Sequence, residues 1–502
     1  MFSMDSASPI TSSVFRFTPL LFAAVLLLAA ACNKNPRHEE VLHVARADWA
    51  PDVKEGINAF MDRYHHTPNA YVVFDFDNTS AIFDVCEQTM VYQLKTMSFA
   101  LPPDEFAEAI GYGLADVPPL CQDWLYDISH AYETLWNSYG PFSVNGLDTA
   151  RQRVIQSDPQ WLEFASKMGR FYLDVYNYVD DGKANDWLLL WFSGMTEDEL
   201  YRLSLRSHEM YAAVPTSKDF WQGPSDIPSR LGPVRYDWVN GIQVTENIRE
   251  LWRTLQANGI DVWVCSASLT ANICAAIDMF GLHSYCRGVL GMMPSIDKDG
   301  RYRGGFDYGS ATARLTSSDG WQQGTLPLGA QTAGVGKSVA IVNAIAPLYD
   351  HAGPLAGFMD ATGDFNFCTE FASLRMVVCF NRADRTVCNG GGLIAELAIY
   401  QRDSLHLSLD KANNQGDTYY LLQGRDENGM RSFRPSNATL RYGESYEQLF
   451  ANEQNHAQLA YMSAHNMSTQ EVINRFCIRT ENDDLGFTYG FLDHYAGYHS
   501  RK

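Results

Sequence analysis

A parallel α/β sheet with helices on both faces is the architecture this chain predicts, because short apolar runs alternate with helical patterns. The runs are Tyr71-Val72-Val73-Phe74, Ile260 to Val264, Leu355 to Met359 and Met376 to Phe380. Two of them lead into acidic loops, Asp75-Phe76-Asp77-Asn78-Thr79-Ser80 and Asp360-Ala361-Thr362-Gly363-Asp364. The carboxyl edge of an open α/β sheet is where such loops build active sites.

The elements follow in order. Residues Pro19 to Ala31 are apolar, follow Arg16, and are too short for a comfortable membrane span. They end in Leu28-Ala29-Ala30-Ala31-Cys32, so residues 1–31 read as a secretory signal. The small residues before a cysteine resemble a bacterial lipoprotein cleavage site. Cys32 would then be lipidated and would anchor the protein in the bacterial cell envelope, periplasmic or surface-exposed. A plain signal peptide cleaved nearby is the alternative.

Residues 32–50 form a polar tether. Pro51 then opens a helix with Val53, Ile57, Phe60, Met61 and Tyr64 on one face. A catalytic core is assigned to 51–85 and 244–400. Within it, Thr245 caps a helix whose stripe is Ile248, Leu251, Trp252 and Leu255, and Gly259 ends it. A second helix runs from Ala271 to Phe280 and stops at Gly281.

Residues 86–243 have a helical texture dense in Trp and Tyr, with a capping box at Thr196-x-x-Glu199, and read as a cap inserted over the site. Residues 401–502 form a C-terminal α+β extension packed on the core. A hairpin is expected there between Tyr419 to Leu422 and Met430 to Phe433, followed by two helices.

Composition narrows the function. The 502 residues carry a formal charge of −21, which argues against a nucleic-acid partner. Ten cysteines show no C-x-x-C spacing, so zinc is not indicated. In an oxidising compartment Cys274 with Cys286, or Cys86 with Cys121, are candidate pairs, and connectivity stays open. Gly336-Lys337-Ser338 echoes a nucleotide loop, but Gln331 stands where its first glycine belongs. Asp297-x-Asp299-Gly300 lacks the downstream Glu of a calcium loop and reads as a hairpin turn.

The pieces that carry chemistry come in one order. Asp75 and Asp77 lie two residues apart after a strand. Ser266 and Ala267 follow the second strand, Lys337 sits near the start of a helix, and Asp360 and Asp364 follow the third. In this order the motifs resemble the haloacid dehalogenase superfamily of phosphohydrolases, over residues from about 50 to 382 apart from the helical insert. The resemblance implies a Rossmann-like core with a helical cap. Met359 departs from it, standing where the family usually has Gly, and Gly363-Asp364 with Glu370 downstream is a second reading of the last motif.

The same resemblance implies the roles. Asp75 attacks phosphorus and forms an aspartyl-phosphate. Asp77 protonates the leaving oxygen and later deprotonates the attacking water. Ser266, the amide of Ala267 and Lys337 hold phosphoryl oxygens and offset charge. Mg²⁺ would be held by Asp75, the Asp77 carbonyl and Asp360, with Asp364 orienting a metal-bound water.

Within the superfamily the layout is similar to the phosphoserine phosphatase branch and to phosphorylcholine phosphatases, on Asp75 to Ser80 followed by Asp84 and Glu87. That likeness implies that Glu87 faces a quaternary ammonium, with aromatic faces from among Trp136, Tyr139, Trp187 and Trp191. The expected partner is a small phosphorylated metabolite, such as phosphocholine or phosphoethanolamine. A broad-specificity scavenging phosphatase and a catalytically inactive binding lipoprotein are the alternatives.

Overall fold

A computed structural model describes residues 40–115, 117–383, 390–429, 431–476 and 492. The chain divides into two units, Met1–Val41 and Leu42–Lys502, and the architecture below belongs to the second. Residues 1–39, and with them the expected signal, Cys32 and most of the expected tether, lie outside the described residues. Among the described residues no helix is long and apolar enough to cross a membrane.

The first helix, Pro51–Tyr64, buries Val53, Ile57, Phe60 and Met61 on one side. It leads into β1 (Tyr71–Phe74), all four residues of which are buried. The chain then enters the cap, which contains the helices Val85–Thr96, Pro119–Tyr139, Pro159–Asp174, Asp181–Leu189 and Glu197–Ala213. The capping box at Thr196 and Glu199 is formed. A two-stranded antiparallel ribbon, β2 (Ser217–Gln222) with β3 (Arg235–Asn240), closes this region.

Inside the cap, fully buried Lys167 pairs with Asp127 (2.8 Å) and with Glu163. Asp127 also accepts from the backbone N–H groups of Arg230 and Leu231 (2.9 and 3.0 Å). A buried ammonium is tolerable only with such compensation. The chain passes between core and cap at one neck, where the Ile82 amide donates to Gln243 O (2.7 Å) and the Gln243 amide to Ile82 O (3.3 Å). The cap also packs on helix Thr270–Met279, whose Asn272 donates to Thr89 (2.7 Å) and Ser204 (3.1 Å).

Helix Glu246–Ala257 carries the expected Thr245 cap. After it come β4 (Asp261–Leu269), helix Thr270–Met279 and β5 (Gly288–Met292). The turn at Asp297 to Gly300 joins the short strands β6 (Ser295–Ile296) and β7 (Tyr302–Arg303). Next are β8 (Thr312–Ser317), β9 (Gly320–Pro327), helix Val335–Ala340, β10 (Ala356–Met359) and β11 (Met376–Phe380). Helix Gly390–Asp403 crosses residue 400, and β12 (Tyr419–Gln423) follows.

Among the described residues, eight strands make one sheet in the order β12-β11-β10-β1-β4-β5-β8-β9. It is parallel from β12 to β5 and antiparallel over β8 and β9. β1 therefore sits between β10 and β4, and the segments following all three open on one edge. Alternating side chains serve the two faces. Tyr71, Val73, Met359 and Val377 enter one continuous core. On the other face Phe74 stacks on Phe358, with ring centroids 3.8 Å apart.

Several expectations are corrected. Tyr419 to Leu422 is not one arm of a hairpin. It lies in β12, which pairs in parallel with β11, so the segment after residue 400 contributes to the sheet itself. The local ribbon is instead β13 (Arg425–Asp426) with β14 (Ser432–Phe433); Met430 lies outside the described residues. A run of four apolar residues fits either arrangement, and packing decides between them. Cys86, Cys121, Cys274 and Cys286 are free buried thiols, so neither candidate disulfide is formed.

Candidate active site

The loop after β1 folds back on itself. The carbonyl of Phe76 accepts from the amides of Ser80 (2.8 Å) and Ala81 (2.9 Å), and the Ser80 hydroxyl donates to the Asp75 carbonyl (2.7 Å). Asn78 takes a left-handed conformation (φ 60°), which Asn tolerates better than most residues. This turn projects the Asp75 and Asp77 side chains into a cavity of about 610 Å³ between the core and the cap helices.

Asp77 is fixed on two sides. Its Oδ1 accepts from the Val85 amide (2.7 Å), at the start of helix Val85–Thr96, and its Oδ2 from the Ser268 hydroxyl (2.6 Å). Ser266 stands farther off, its hydroxyl 3.5 Å from the same oxygen, and accepts from the Ser268 amide (3.1 Å). β4 continues past Val264 to Leu269, with an irregularity between Cys265 and Leu269, so Ser266 and Ala267 belong to a distorted strand end. Both line the cavity.

Lys337 arrives on helix Val335–Ala340. A Cβ at Gly336 would lie 1.9 Å from the Gln331 carbonyl oxygen, so only glycine lets the helix start this close to the preceding loop. The Lys337 ammonium donates to Asp75 Oδ1 (2.6 Å) and Asp364 Oδ1 (2.5 Å). Asp360 Oδ1 accepts from the Thr79 hydroxyl (2.7 Å), and its Oδ2 lies 3.2 Å from Arg382. Met359 points into the core and is fully buried, away from the cavity. Glu370 is engaged with Asn366 (2.8 Å) and the Leu492 amide (3.0 Å).

Oxygens of Asp75, Asp360 and Asp364 all lie within 4.8 Å of one another. Burial and the neighbouring Asp364 push the Asp75 carboxyl up to about 6, and burial does the same for Asp360. Burial and the Asp84 charge raise Asp77 well above the ordinary carboxylate range. Lys337 stays fully charged because Asp364 and Asp75 more than offset its burial. Among the described residues, the cavity lining sets Asp75, Asp77, Asp84, Asp181, Asp360 and Asp364 against Lys337 and Arg382. Three converging hard oxygen donors in an electron-rich, buried site fit a small divalent cation such as Mg²⁺.

The cap face differs from expectation. Glu87 is not among the residues lining the cavity; its Oε1 accepts from the Tyr236 hydroxyl (2.9 Å). Burial, then the Asp84 charge, push its carboxyl up to about 7. Trp187 and Trp191 are buried in the cap's own core, in edge-to-face contact (6.0 Å). Tyr139 is held by Asp158 (2.8 Å), and Trp136 packs on Phe142. Among the described residues, the aromatic side chains that do line the cavity are Tyr172 and Tyr176, beside Asp84, Asp181 and Asn185.

Sequence reasoning also missed Ser268, Thr79 and Arg382. Thr79 stands inside the Asp75 to Ser80 motif and Ser268 two residues past Ser266, and only the bulged strand end shows that Ser268 is the serine on Asp77.

No protein-family model matches the chain, and no curated protein matches it. Among solved structures it is similar to a conserved protein of unknown function from Anaerococcus prevotii DSM 20548. That likeness has a TM-score of 0.61 and 24% identity, and covers 81% of this chain and 99% of that one. A protein of unknown function from Bordetella pertussis Tohama I matches with a TM-score of 0.30 and 14% identity over 62% of this chain and 91% of that one. Cytosolic 5'-nucleotidase IIIB bound to cytidine matches with a TM-score of 0.25 and 16% identity over 66% and 78%. The first likeness shows a shared fold; the other two superpose too loosely to carry an argument. The fold is thus a mixed α/β, Rossmann-like sheet of mostly parallel strands.

Proposed function

We propose that this chain is a Mg²⁺-dependent phosphohydrolase of small phosphomonoesters. The observation that carries the reading is the gathering of Asp75, Asp77, Lys337, Asp360 and Asp364, from separate segments, on one cavity. A carboxylate oxygen of Asp75 attacks phosphorus and the P–O bond to the leaving group breaks. The leaving oxygen takes the proton of Asp77, whose raised affinity for a proton suits an acid. Asp77, now a carboxylate, takes a proton from water as that water attacks the aspartyl-phosphate. Inorganic phosphate leaves and Asp75 is regenerated. Lys337 spreads positive charge over nucleophile and phosphoryl oxygens, and Ser266 with Ala267 supplies further donors. Asp75, Asp360 and Asp364 would hold Mg²⁺, which supplies charge neutralisation at the transferring group.

A cationic leaving group such as choline or ethanolamine is supported by the acidic and aromatic cap face, where Tyr172, Tyr176, Asp84 and Asp181 lie together. A broad-specificity scavenging enzyme is the second reading, favoured by the half-open position of Tyr176. Cellular location rests on the leader: a Cys32 lipid anchor would place the enzyme on the cell envelope, and Cys32→Ser should move it from the membrane to the soluble fraction.

The deciding test is hydrolysis of p-nitrophenyl phosphate with Mg²⁺ in the wild type and in Asp75→Asn. Activity that survives the substitution ends this mechanism. Turnover of phosphocholine, phosphoethanolamine and phosphoserine then ranks the substrates, and equal rates on all three favour the scavenging enzyme.

A further inference from the structure

Arg425 lies in the C-terminal segment, to which the sequence assigns no chemistry. It is 1% exposed, and a guanidinium is buried without loss only when acceptors meet its N–H groups. Nη1 donates to the backbone carbonyl of Asn78 (2.6 Å) and Nη2 to the Asn78 side-chain Oδ1 (3.1 Å). The other edge of the fork faces Glu427, whose Oε1 accepts from Nε (2.9 Å) and Nη2 (2.6 Å). The pair is held in turn by its surroundings. Glu427 Oε2 accepts from the Tyr442 amide (3.2 Å), and the Arg425 amide donates to the Thr439 hydroxyl (3.0 Å).

Asn78 is the left-handed residue at the tip of the nucleophile loop. Asp77 precedes it, and Thr79, whose hydroxyl fixes Asp360, follows it. One planar fork therefore grips both carbonyl oxygens, main-chain and side-chain, of the residue on which the aim of Asp75, Asp77 and Thr79 turns. A lysine ammonium has the charge but not the fork.

We propose that Arg425, backed by Glu427, is a positioning residue that holds the Asp75 to Ser80 loop in its reacting geometry, so that the C-terminal segment completes the active site. The reaction it serves is the phosphohydrolysis proposed above. A bolt that served packing alone would change the melting temperature and leave kcat untouched.

The test compares wild type and Arg425→Lys by steady-state kinetics, Mg²⁺ titration calorimetry and circular dichroism. The expected variant is folded, with kcat down by about 10- to 100-fold and KM within about threefold, because small displacements of reacting groups are costly. Its Mg²⁺ affinity is expected to fall about tenfold, as for outer partners of metal ligands. A folded Arg425→Lys protein with wild-type kcat and Mg²⁺ affinity overturns the proposal. Should Arg425→Lys not fold, Glu427→Gln keeps the guanidinium and loosens it. There kcat and Mg²⁺ affinity should each drop at least about threefold, and wild-type values for both overturn the proposal equally. A wild-type protein that binds Mg²⁺ yet hydrolyses no phosphomonoester refutes the proposed function, and the Mg²⁺ comparison then decides on Arg425 alone.

Discussion

The two walls of the cavity are built differently. On the core side each acid is held by named partners: Asp75 by Lys337, Asp77 by Ser268 and the Val85 amide, Asp360 by Thr79 and Arg382, Asp364 by Lys337. Asp75 and Asp360 directly follow strands, Asp364 ends the short 3₁₀ turn Thr362–Asp364, and all three are almost fully buried. On the cap side Tyr172, Tyr176, Asp181 and Asn185 stand on or beside helical turns and stay partly exposed. Tyr176 is tied to Asn185 (2.7 Å) within that wall. A rigid wall suits bond making, whose cost depends on alignment. A looser wall suits choosing among leaving groups, which differ by methyl groups or a charge.

That contrast can be broken most directly on the rigid side. Asp75→Asn should lower kcat on p-nitrophenyl phosphate by roughly 10³-fold or more, because the nucleophile itself is lost. Asp77→Asn should cost about 10²- to 10⁴-fold, the usual worth of a positioned acid and base, and should hurt poor leaving groups more than p-nitrophenolate. If the two walls contribute alike, Tyr176→Ala will match these losses. The expectation is instead a rise of about three- to tenfold in KM for phosphocholine, with a smaller change for p-nitrophenyl phosphate.

A thermal measurement sharpens the same contrast. In the metal-free protein Asp75 and Asp360 release their protons near pH 6, against 3.8 as the ordinary value. Folded-state values above the unfolded ones mean that ionisation opposes folding. The penalty is fully present above about pH 6 and is relieved as pH falls toward 4. Without metal, the melting temperature should therefore rise between pH 7 and pH 5. Mg²⁺ should raise it by roughly 2–5 °C at pH 7 and by less at pH 5. An Mg²⁺ shift that is the same at both pH values would detach those carboxyls from the metal site.

How much of this is legible in the sequence follows from how local each feature is. An apolar run ending in acids marks a strand and its loop, so Asp75, Asp77, Asp360 and Asp364 stand out from the amino-acid order alone. Helix ends are equally readable, as Thr196, Thr245 and Gly281 show, because a cap is a contact within a few residues. Partners distant in the chain are not. Ser268 reaches Asp77 only through the distortion at the end of β4. Tyr172 and Tyr176 face the cavity while Trp187 and Trp191 fill the cap's interior, and helical spacing alone does not separate these two fates. β12 looks like a hairpin arm because edge strands and hairpin arms share the same apolar signature.

The neck between cap and core has a practical meaning. Ile82 and Gln243 meet as a single rung of paired backbone, so the polypeptide leaves and re-enters the core at almost one point. An insert attached that way can be exchanged as a unit when the splice keeps Val85, whose amide holds Asp77, and the side of helix Glu197–Ala213 that meets Asn272. Chimeras built on those terms would replace the leaving-group wall and leave the core carboxylates as they are.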